Sequence, residues 1–166
     1  MSDVLPQSET TQTAVARRAA EAELRTLITR FAPANEALVG TLRRSLRKRL
    51  PTAYEVVYEY SDCVVISLSP DERGYEGALA VRASARGVEL YFNRGKELPD
   101  PDKLLRGSGK LARFISVESP STLRRAAVAA LIDAAIAHGR VPYATMGRGP
   151  IVIRSTTAAS RRRPKA

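Results

Sequence analysis

Between residues 54 and 93, four short stretches rich in β-branched, aromatic and other apolar residues follow one another, the first with a period of two residues, and this pattern constrains the fold more than any other feature of the chain. The stretches cover about residues 54–60, 64–68, 78–83 and 88–93. A period of two residues is typical of a β-strand with one buried face. The connections are too short to contain crossover helices, so the sequence predicts an antiparallel meander and argues against a parallel Rossmann-type sheet.

Two amphipathic helices are predicted ahead of these strands. The first begins at about Ala14, because from there apolar residues recur at a spacing of three and four. Pro33 interrupts the pattern, Asn35 is a suitable N-cap for the second helix, and Pro51 ends it. The residues expected to face the core are Leu24, Leu27, Ile28 and Phe31 in the first helix, and Leu38, Val39, Leu42, Leu46 and Leu50 in the second.

A glycine-containing loop is expected to lead into a fifth strand, predicted over residues 112–118. Prolines stiffen this loop, and Leu104 and Leu105 are expected to pin it to the core. Gly107 and Gly109 permit positive φ where the chain reverses into the strand. The sequence therefore predicts a tight, well-defined turn here.

A long helix is predicted after the fifth strand. Ser119 is expected to cap it, Pro120 to take its first position and Gly139 to stop it. Farther along, residues 151–153 are suited to a short edge strand. The residues of this helix expected to be buried are Val128, Leu131, Ile132, Ala135 and Ile136.

These patterns together predict an α+β fold with two N-terminal helices, an antiparallel sheet of about five strands and one long C-terminal helix packed on the sheet. The domain is expected to cover residues 14–139. Residues 1–13 are polar and lack apolar periodicity, so they are predicted to be disordered. Residues 140–166 are predicted to form a basic, mostly unstructured tail.

The net charge of +10 is distributed unevenly along the chain. Residues 51–138 carry 11 cations against 12 acids, whereas residues 139–166 carry 7 cations and no acid. Residues 31–50 carry 5 cations against Glu36 alone. A nearly neutral body thus bears one basic helix and one basic tail, and total charge alone overstates the argument for nucleic-acid binding.

The basic helix has two interpretations. Its cations either form a solvated face that suits the negative end of the helix dipole, or they contact a polyanion. The second interpretation, joined to the basic tail, describes a nucleic-acid-associated protein whose binding is weak and non-specific. The residues concerned are Arg43, Arg44, Arg47 and Lys48 in the helix, and Arg161, Arg162 and Arg163 in the tail.

The glycine turn is the candidate site for a small anion. Its backbone amides and the cations Arg106, Lys110 and Arg113 can converge on one negative group, with Gly107 and Gly109 shaping the turn. A phosphate loop of the nucleotide-hydrolysing type is excluded because its other required glycine and hydroxyl residue are missing and a strand follows instead of a helix. The alternative is a turn whose cations simply face water.

The chain offers few residues for catalysis or metal binding. Its single histidine, His138, is expected to interact with the end of the last helix, and its single cysteine, Cys63, to be a small buried hydrophobe. We therefore expect no enzyme activity, no cofactor and no metal site. The absence of a long apolar run and of a signal-peptide pattern predicts a cytoplasmic protein that does not enter a membrane.

The run from Tyr54 to Gly139 resembles the YdhG-like family of uncharacterised bacterial domains (domain-of-unknown-function family 1801). The strongest match is residues 98–110, Leu-Pro-Asp-Pro-Asp-Lys-Leu-Leu-Arg-Gly-Ser-Gly-Lys, followed by Arg-Phe-Ile-Ser-Val-Glu at 113–118. Val-Tyr-Glu-Tyr at 57–60 and Val-Glu-Leu-Tyr-Phe at 88–92 support it. The resemblance implies a small α+β domain with helices packed on an antiparallel sheet, similar to the arrangement in frataxin, and implies little about activity.

The resulting functional hypothesis is a non-enzymatic binding domain for an anionic small molecule or a protein partner, located near the sheet and the glycine turn. One alternative is the nucleic-acid-associated protein described above. Another is a frataxin-like iron chaperone, because some relatives in the resembled family are described as such. The second helix of this chain, however, carries cations where iron would require oxygen ligands.

Overall fold

The computed structural model describes residues 12–155 of the chain. They form an α+β fold of three α-helices and one six-stranded sheet. In chain order the elements are α1 Ala14–Phe31, α2 Glu36–Arg49, β1 Tyr54–Glu59, β2 Cys63–Ser69, β3 Leu79–Ser84, β4 Gly87–Phe92, β5 Arg113–Val117, α3 Ala126–His138 and β6 Ile151–Ser155.

The sheet has the strand order β5-β4-β3-β2-β1-β6. The first four strands form the predicted antiparallel meander, with Val57 of β1 opposite Ile66 of β2, and the predicted fifth strand, β5, pairs antiparallel with β4. β6 then pairs in parallel with β1, so that Val56 lies opposite Val152. The predicted five-stranded antiparallel sheet is therefore corrected to a mixed sheet of six strands. β6 contains the short edge strand predicted at residues 151–153.

The first two helices form where the apolar spacing predicts them. The Thr13 side chain accepts a hydrogen bond from the backbone amide of Ala16 and thereby caps α1. Asn35 stands at the N-cap position of α2 but makes no side-chain capping bond. The predicted inward residues that the structure buries are Leu24, Leu27, Ile28, Phe31, Val39, Leu42, Leu46 and Leu50, while Leu38 is partly buried against the same core.

The last helix is shorter than predicted. Pro120 begins a 3-10 turn, Pro120–Arg124, and the extended ψ of 131° at Arg125 separates that turn from α3. The prediction that Ser119 caps the helix and Pro120 opens it is therefore wrong. The predicted buried face of α3 is confirmed, since Val128, Leu131, Ile132 and Ala135 are buried and Ile136 packs partly buried against the core.

One face of the sheet packs against the three helices and encloses the main core. The loop between β2 and β3 folds back over part of the other face. Ser67 donates a hydrogen bond to the carbonyl of Gly74 at 2.7 Å, and the Tyr58 hydroxyl donates to the carbonyl of Arg73 at 2.9 Å. These contacts bury Val56 completely although it points away from the helices.

The segment between α3 and β6 lies against the domain. The Tyr143 hydroxyl donates to the carbonyl of Leu68 at 2.6 Å and accepts from the amide of Ala78 at 3.0 Å. Gly149 has no room for a side chain, because a Cβ there would lie 1.7 Å from the carbonyl oxygen of Ala53. These contacts hold the chain in position to enter β6 beside β1.

The remaining predictions about the ends fall mostly outside the described residues. The disorder predicted for residues 1–13 concerns mainly 1–11, and most of the basic tail, including Arg161, Arg162 and Arg163, lies beyond 155. The side-chain amide of Gln12, at the start of the described part, exchanges two hydrogen bonds of 3.0 Å with the backbone of Ile151. Within residues 12–155, no helix is long and apolar enough to cross a membrane.

Candidate functional site

The glycine turn adopts a defined conformation next to β5. Gly107 has a φ of +115°, which confirms the prediction that at least one of the two glycines is left-handed, whereas Gly109 lies outside that region. The backbone of Arg106 exchanges two hydrogen bonds with Phe114, at 2.8 and 2.9 Å. This bridge places Arg106 alongside the outer edge of β5.

Of the three cations of the turn, Arg113 binds the backbone of the turn, whereas Arg106 and Lys110 are exposed. Nη1 of Arg113 donates to the backbone carbonyls of Gly109 at 2.6 Å and Ala112 at 2.8 Å, so this guanidinium folds back over the turn and holds its backbone. Arg106 and Lys110 are exposed. Neither of the two cavities described below is lined by any of these three side chains. A binding role for the turn stays a prediction.

The basic helix α2 directs two of its four predicted cations inward. Nε of Arg43 donates to the carboxylate of Glu55 on β1 at 2.7 Å, and its two terminal nitrogens donate to Glu21 on α1 at 3.0 Å each. Arg47 also pairs with Glu55. Glu55 is only 2% exposed, so this ion-pair network joins both helices to the sheet below the surface.

The other two cations of α2 point outward. Arg44 and Lys48 are exposed, and Arg44 donates to the hydroxyl of Thr41 at 3.2 Å. The predicted polyanion face is thus divided, because α2 presents only part of its charge to solvent. The carboxylates of Glu21 and Glu55 are among the functional-site residues that the sequence analysis did not identify.

An open groove of about 530 Å³ runs between α1 and α2 above this network. Four arginine side chains and two carboxylates line it, together with small and apolar residues. The lining residues are Glu21, Arg25, Ile28, Glu36, Ala37, Gly40, Thr41, Arg43, Arg44 and Arg47. Positive charge therefore exceeds negative charge along its wall.

Burial and the mutual repulsion of neighbouring guanidinium groups disfavour the charged form of the arginines near the groove. Burial, together with the nearby guanidinium groups of Arg43 and Arg17, lowers the pKa of Arg47 to about 10. Burial also lowers the pKa of Arg17, with a contribution from Arg148. The hydrogen bond from Arg43 lowers the pKa of Glu21 and keeps that carboxylate ionised.

Arg17 lies one helical turn before Glu21 and is incompletely satisfied. Its Nη1 donates to the carbonyl of Gly149 at 2.9 Å. Its Nε and Nη2 are buried and have no hydrogen-bond partner among the described residues. A buried donor without an acceptor is costly, so this corner of the molecule would gain from an additional acceptor.

A smaller cavity of about 140 Å³ lies where α3 ends, near the starts of β3 and β5. At its edge Nε2 of His138 lies 2.5 Å from the Glu97 carboxylate, which also accepts from Arg94. Hydrogen bonding from His138 and then from Arg94 lowers the pKa of Glu97. His138, predicted to interact with the helix end, instead pairs with this side chain.

The remaining reactive residues are structural in character. Cys63 is buried, as predicted, and burial raises the pKa of its thiol. Among residues 12–155, no three histidine, cysteine, aspartate or glutamate side chains are grouped so that they could hold a metal ion.

Comparison with protein-family models, curated proteins and solved structures finds no match to this chain. The geometry of the groove and the turn therefore carries the functional argument.

Proposed function

We propose that this chain is a non-enzymatic binding domain for an anionic ligand, and that the groove between α1 and α2 is its principal site. The observation that carries the proposal is that four arginine residues line one groove whose lining contains only two carboxylates, and the arginines are Arg25, Arg43, Arg44 and Arg47. An arginine guanidinium is planar and offers paired N–H donors that match carboxylate and phosphate oxygens.

The partial burial of these groups supports binding of an anion. Arg43 has a side chain only 12% exposed and Arg47 only 24%. In such surroundings water screens charges less than at a fully exposed surface, so an anion in the groove interacts more strongly with these guanidinium groups. The salt bridges already present hold the donors in fixed positions, which lowers the entropy cost of binding.

The same side chains favour binding over catalysis. A guanidinium is a poor proton acceptor, and even Arg47, whose pKa is about 10, remains protonated at neutral pH. The guanidinium groups of the groove therefore supply donors that bind and orient an anion, and none of them acts as a general base.

Membership of the YdhG-like family is part of the same proposal, supported by the sequence of residues 98–118 given above. We further propose the cytoplasm as its place of action, where a free thiol such as that of Cys63 is maintained. A nucleic-acid role is the second candidate, favoured by the exposed Arg44 and Lys48 on α2. The protein-partner and iron-chaperone hypotheses stay predictions.

The experiment is a calorimetric titration of the full chain with inorganic phosphate at low ionic strength. Saturable binding is expected, and Arg44→Gln and Arg25→Gln should each weaken it by about tenfold, the effect of one charge-assisted contact. Lys48→Gln is the matched control, because it removes one positive charge from the same helix outside the groove lining.

Absence of phosphate binding would overturn the proposal. Equal weakening by Lys48→Gln and Arg44→Gln would also overturn the groove as the site, because it would indicate diffuse attraction to the helix. Titration with a single-stranded oligonucleotide tests the second candidate. Nucleic-acid binding would need to involve Lys48 as well as Arg44 and weaken steeply with salt.

A further inference from the structure

The Glu21 carboxylate occupies the best anion position in the groove. Its two oxygens lie 3.0 Å from the two terminal nitrogens of Arg43, a bidentate arrangement, and one oxygen lies 3.8 Å from Nη2 of Arg47. Its side chain is 38% exposed, so solvent and solutes reach this position. Glu55 is 3% exposed by the same measure and satisfies the same arginines from below.

The two carboxylates therefore differ in what their displacement would require. Withdrawing Glu55 would leave Arg43 and Arg47 buried beside an empty space, at a high cost in stability. Glu21 is at the surface and can rotate into water, leaving the outer nitrogens of Arg43 open towards the groove while Glu55 still compensates part of their charge.

The groove has a chemical gradient along its length. Glu21 of α1 pairs with Arg43 of α2, and Ile28, Glu36 and Ala37 all lie nearer in sequence to the connection between the two helices than that pair does, so they line the other end of the groove. Cations thus concentrate at one end, and an apolar wall with one carboxylate forms the other end. The volume of about 530 Å³ exceeds what a single inorganic ion needs.

We propose that the groove binds a phosphomonoester of a small hydroxylated molecule, and that Glu21 is a built-in competitor which the phosphate displaces from Arg43. This inference rests on the proposed function and deepens it. A phosphate dianion offers more charge and more acceptor oxygens than a carboxylate, so it outcompetes Glu21 for the guanidinium group. Arg25 and Arg44 contact the remaining phosphate oxygens, and Glu36 accepts hydrogen bonds from ligand hydroxyl groups.

Two substitutions of Glu21 distinguish the effect of its negative charge from the effect of its contact with Arg43. Glu21→Gln removes the charge, and Glu21→Asp keeps the charge but shortens the side chain so that it no longer reaches Arg43. Both should raise the affinity for inorganic phosphate by about fivefold, the effect expected from removing an exposed ion pair that competes. Glu36→Gln is the control. It removes one negative charge from the same groove, but Glu36 forms no ion pair with Arg43 among the described residues.

The second comparison uses glycerol 3-phosphate, inorganic phosphate and glycerol as probes. The wild-type chain should bind glycerol 3-phosphate about tenfold more tightly than inorganic phosphate, and glycerol not at all. Glu36→Gln should reduce that preference, because it weakens the acceptor for the hydroxyl groups. Thermal unfolding of each variant confirms that the fold is retained.

The possible outcomes separate the two proposals. If the wild type and the Glu21 variants bind none of the phosphate probes, the proposed function itself fails. If the wild type binds phosphate but neither Glu21→Gln nor Glu21→Asp increases its affinity beyond Glu36→Gln, only the competitor role is overturned. If glycerol 3-phosphate binds no better than inorganic phosphate, the assignment to a phosphomonoester is overturned and a simple anion site remains.

Discussion

Glu55 on β1 lies directly beneath Arg43 on α2, with 2.7 Å between the carboxylate oxygen and Nε of the guanidinium group. Arg47 pairs with the same carboxylate one turn farther along the helix. One buried acid thus compensates two arginines and ties the helical layer to the sheet. This network fixes the positions of two guanidinium groups that line the groove. The stability of the fold and the geometry of the candidate site therefore depend on the same contact.

Replacing Glu55 by Gln should strongly destabilise the protein. The change removes the buried counter-charge of two partly buried guanidinium groups and leaves them only the more exposed Glu21, and breaking a buried ion pair from one side costs about 3–5 kcal/mol. Asp133→Asn is the matched control, because its pair with Arg49 of α2 lies at the surface, with the Asp133 side chain 73% exposed, and such a pair contributes about 1 kcal/mol or less. Urea unfolding measures both, and equal losses would contradict the central role of Glu55.

Local periodicity was sufficient to predict much of the fold. Residues 54–93 form the predicted meander because alternation and short connections leave little other choice. The inward stripes of α1 and α2 follow from helical spacing in the same way. The parallel pairing of β6 with β1 was not predictable, because nothing local determines the partner of an edge strand about 90 residues away in sequence.

The candidate site was harder to predict than the fold. Alternation places Glu55 on the same face as Val57, but the opposite face carries Val56 and Tyr58 and is equally apolar, so the pattern does not decide which face meets the helices. The sequence shows that α2 is positively charged, but the carboxylates that pair with these charges lie on α1 and β1 and are not evident from the sequence of α2. Arg43 forms an ion pair with Glu55 whereas Lys48 is exposed, and this difference depends on how α2 packs against the other elements.

The segment before β6 should contribute to stability through Tyr143. Its hydroxyl joins the end of β2 to the start of β3, and its burial raises the pKa of the phenol. Tyr143→Phe leaves the amide of Ala78 and the carbonyl of Leu68 without that partner, so we expect a loss of about 1–3 kcal/mol. Tyr75→Phe, at a position 66% exposed, is the control and should change the unfolding free energy little. Equal effects would show that the bridge contributes nothing specific.

The two glycines of the turn should respond differently to alanine. Gly107 has a φ of +115°, where a Cβ is strained, so Gly107→Ala should cost about 1–3 kcal/mol. Gly109 is outside that region, and a Cβ there would meet its nearest neighbour, the carbonyl oxygen of Ala112, at an ordinary 3.6 Å. Gly109→Ala should therefore be nearly neutral in chemical unfolding. A larger loss at Gly109 than at Gly107 would show that the turn conformation is wrongly assigned.

The ion pair of Glu21 makes a distinct prediction about pH. The hydrogen bond from Arg43 lowers the pKa of Glu21 below its usual 4.5, so the folded state holds the ionised form more strongly than the unfolded chain does. This contribution to stability is present above about pH 4.5 and is lost as the pH falls through the lowered value. The difference in unfolding free energy between wild type and Glu21→Gln should therefore be larger at about pH 7 than at about pH 3. A difference independent of pH would exclude this linkage.

The cations of the glycine turn provide a last test, independent of the groove. Arg113 folds back so that its Nη1 lies 2.6 Å from the carbonyl of Gly109, which brings its positive charge over the turn that also carries Lys110. Both hydrogen bonds of Arg113 to backbone carbonyls use Nη1, so its Nε and Nη2 can donate to an anion. The positive φ of Gly107 shapes the turn so that its backbone amides and Lys110 can bind the same small anion.

The test uses the Arg44→Gln variant, in which anion binding in the groove is weakened. Sulfate should still shift the amide resonances of Gly107 and Gly109 in this variant. Lys110→Ala should abolish these shifts with no change in thermal stability, since the side chain is exposed. Arg113→Ala should abolish them as well and also lower stability, because its two bonds to backbone carbonyls hold the turn. If sulfate leaves these resonances unchanged, or if Lys110→Ala does not affect the shifts, the turn serves the architecture of β5 alone and carries no anion site.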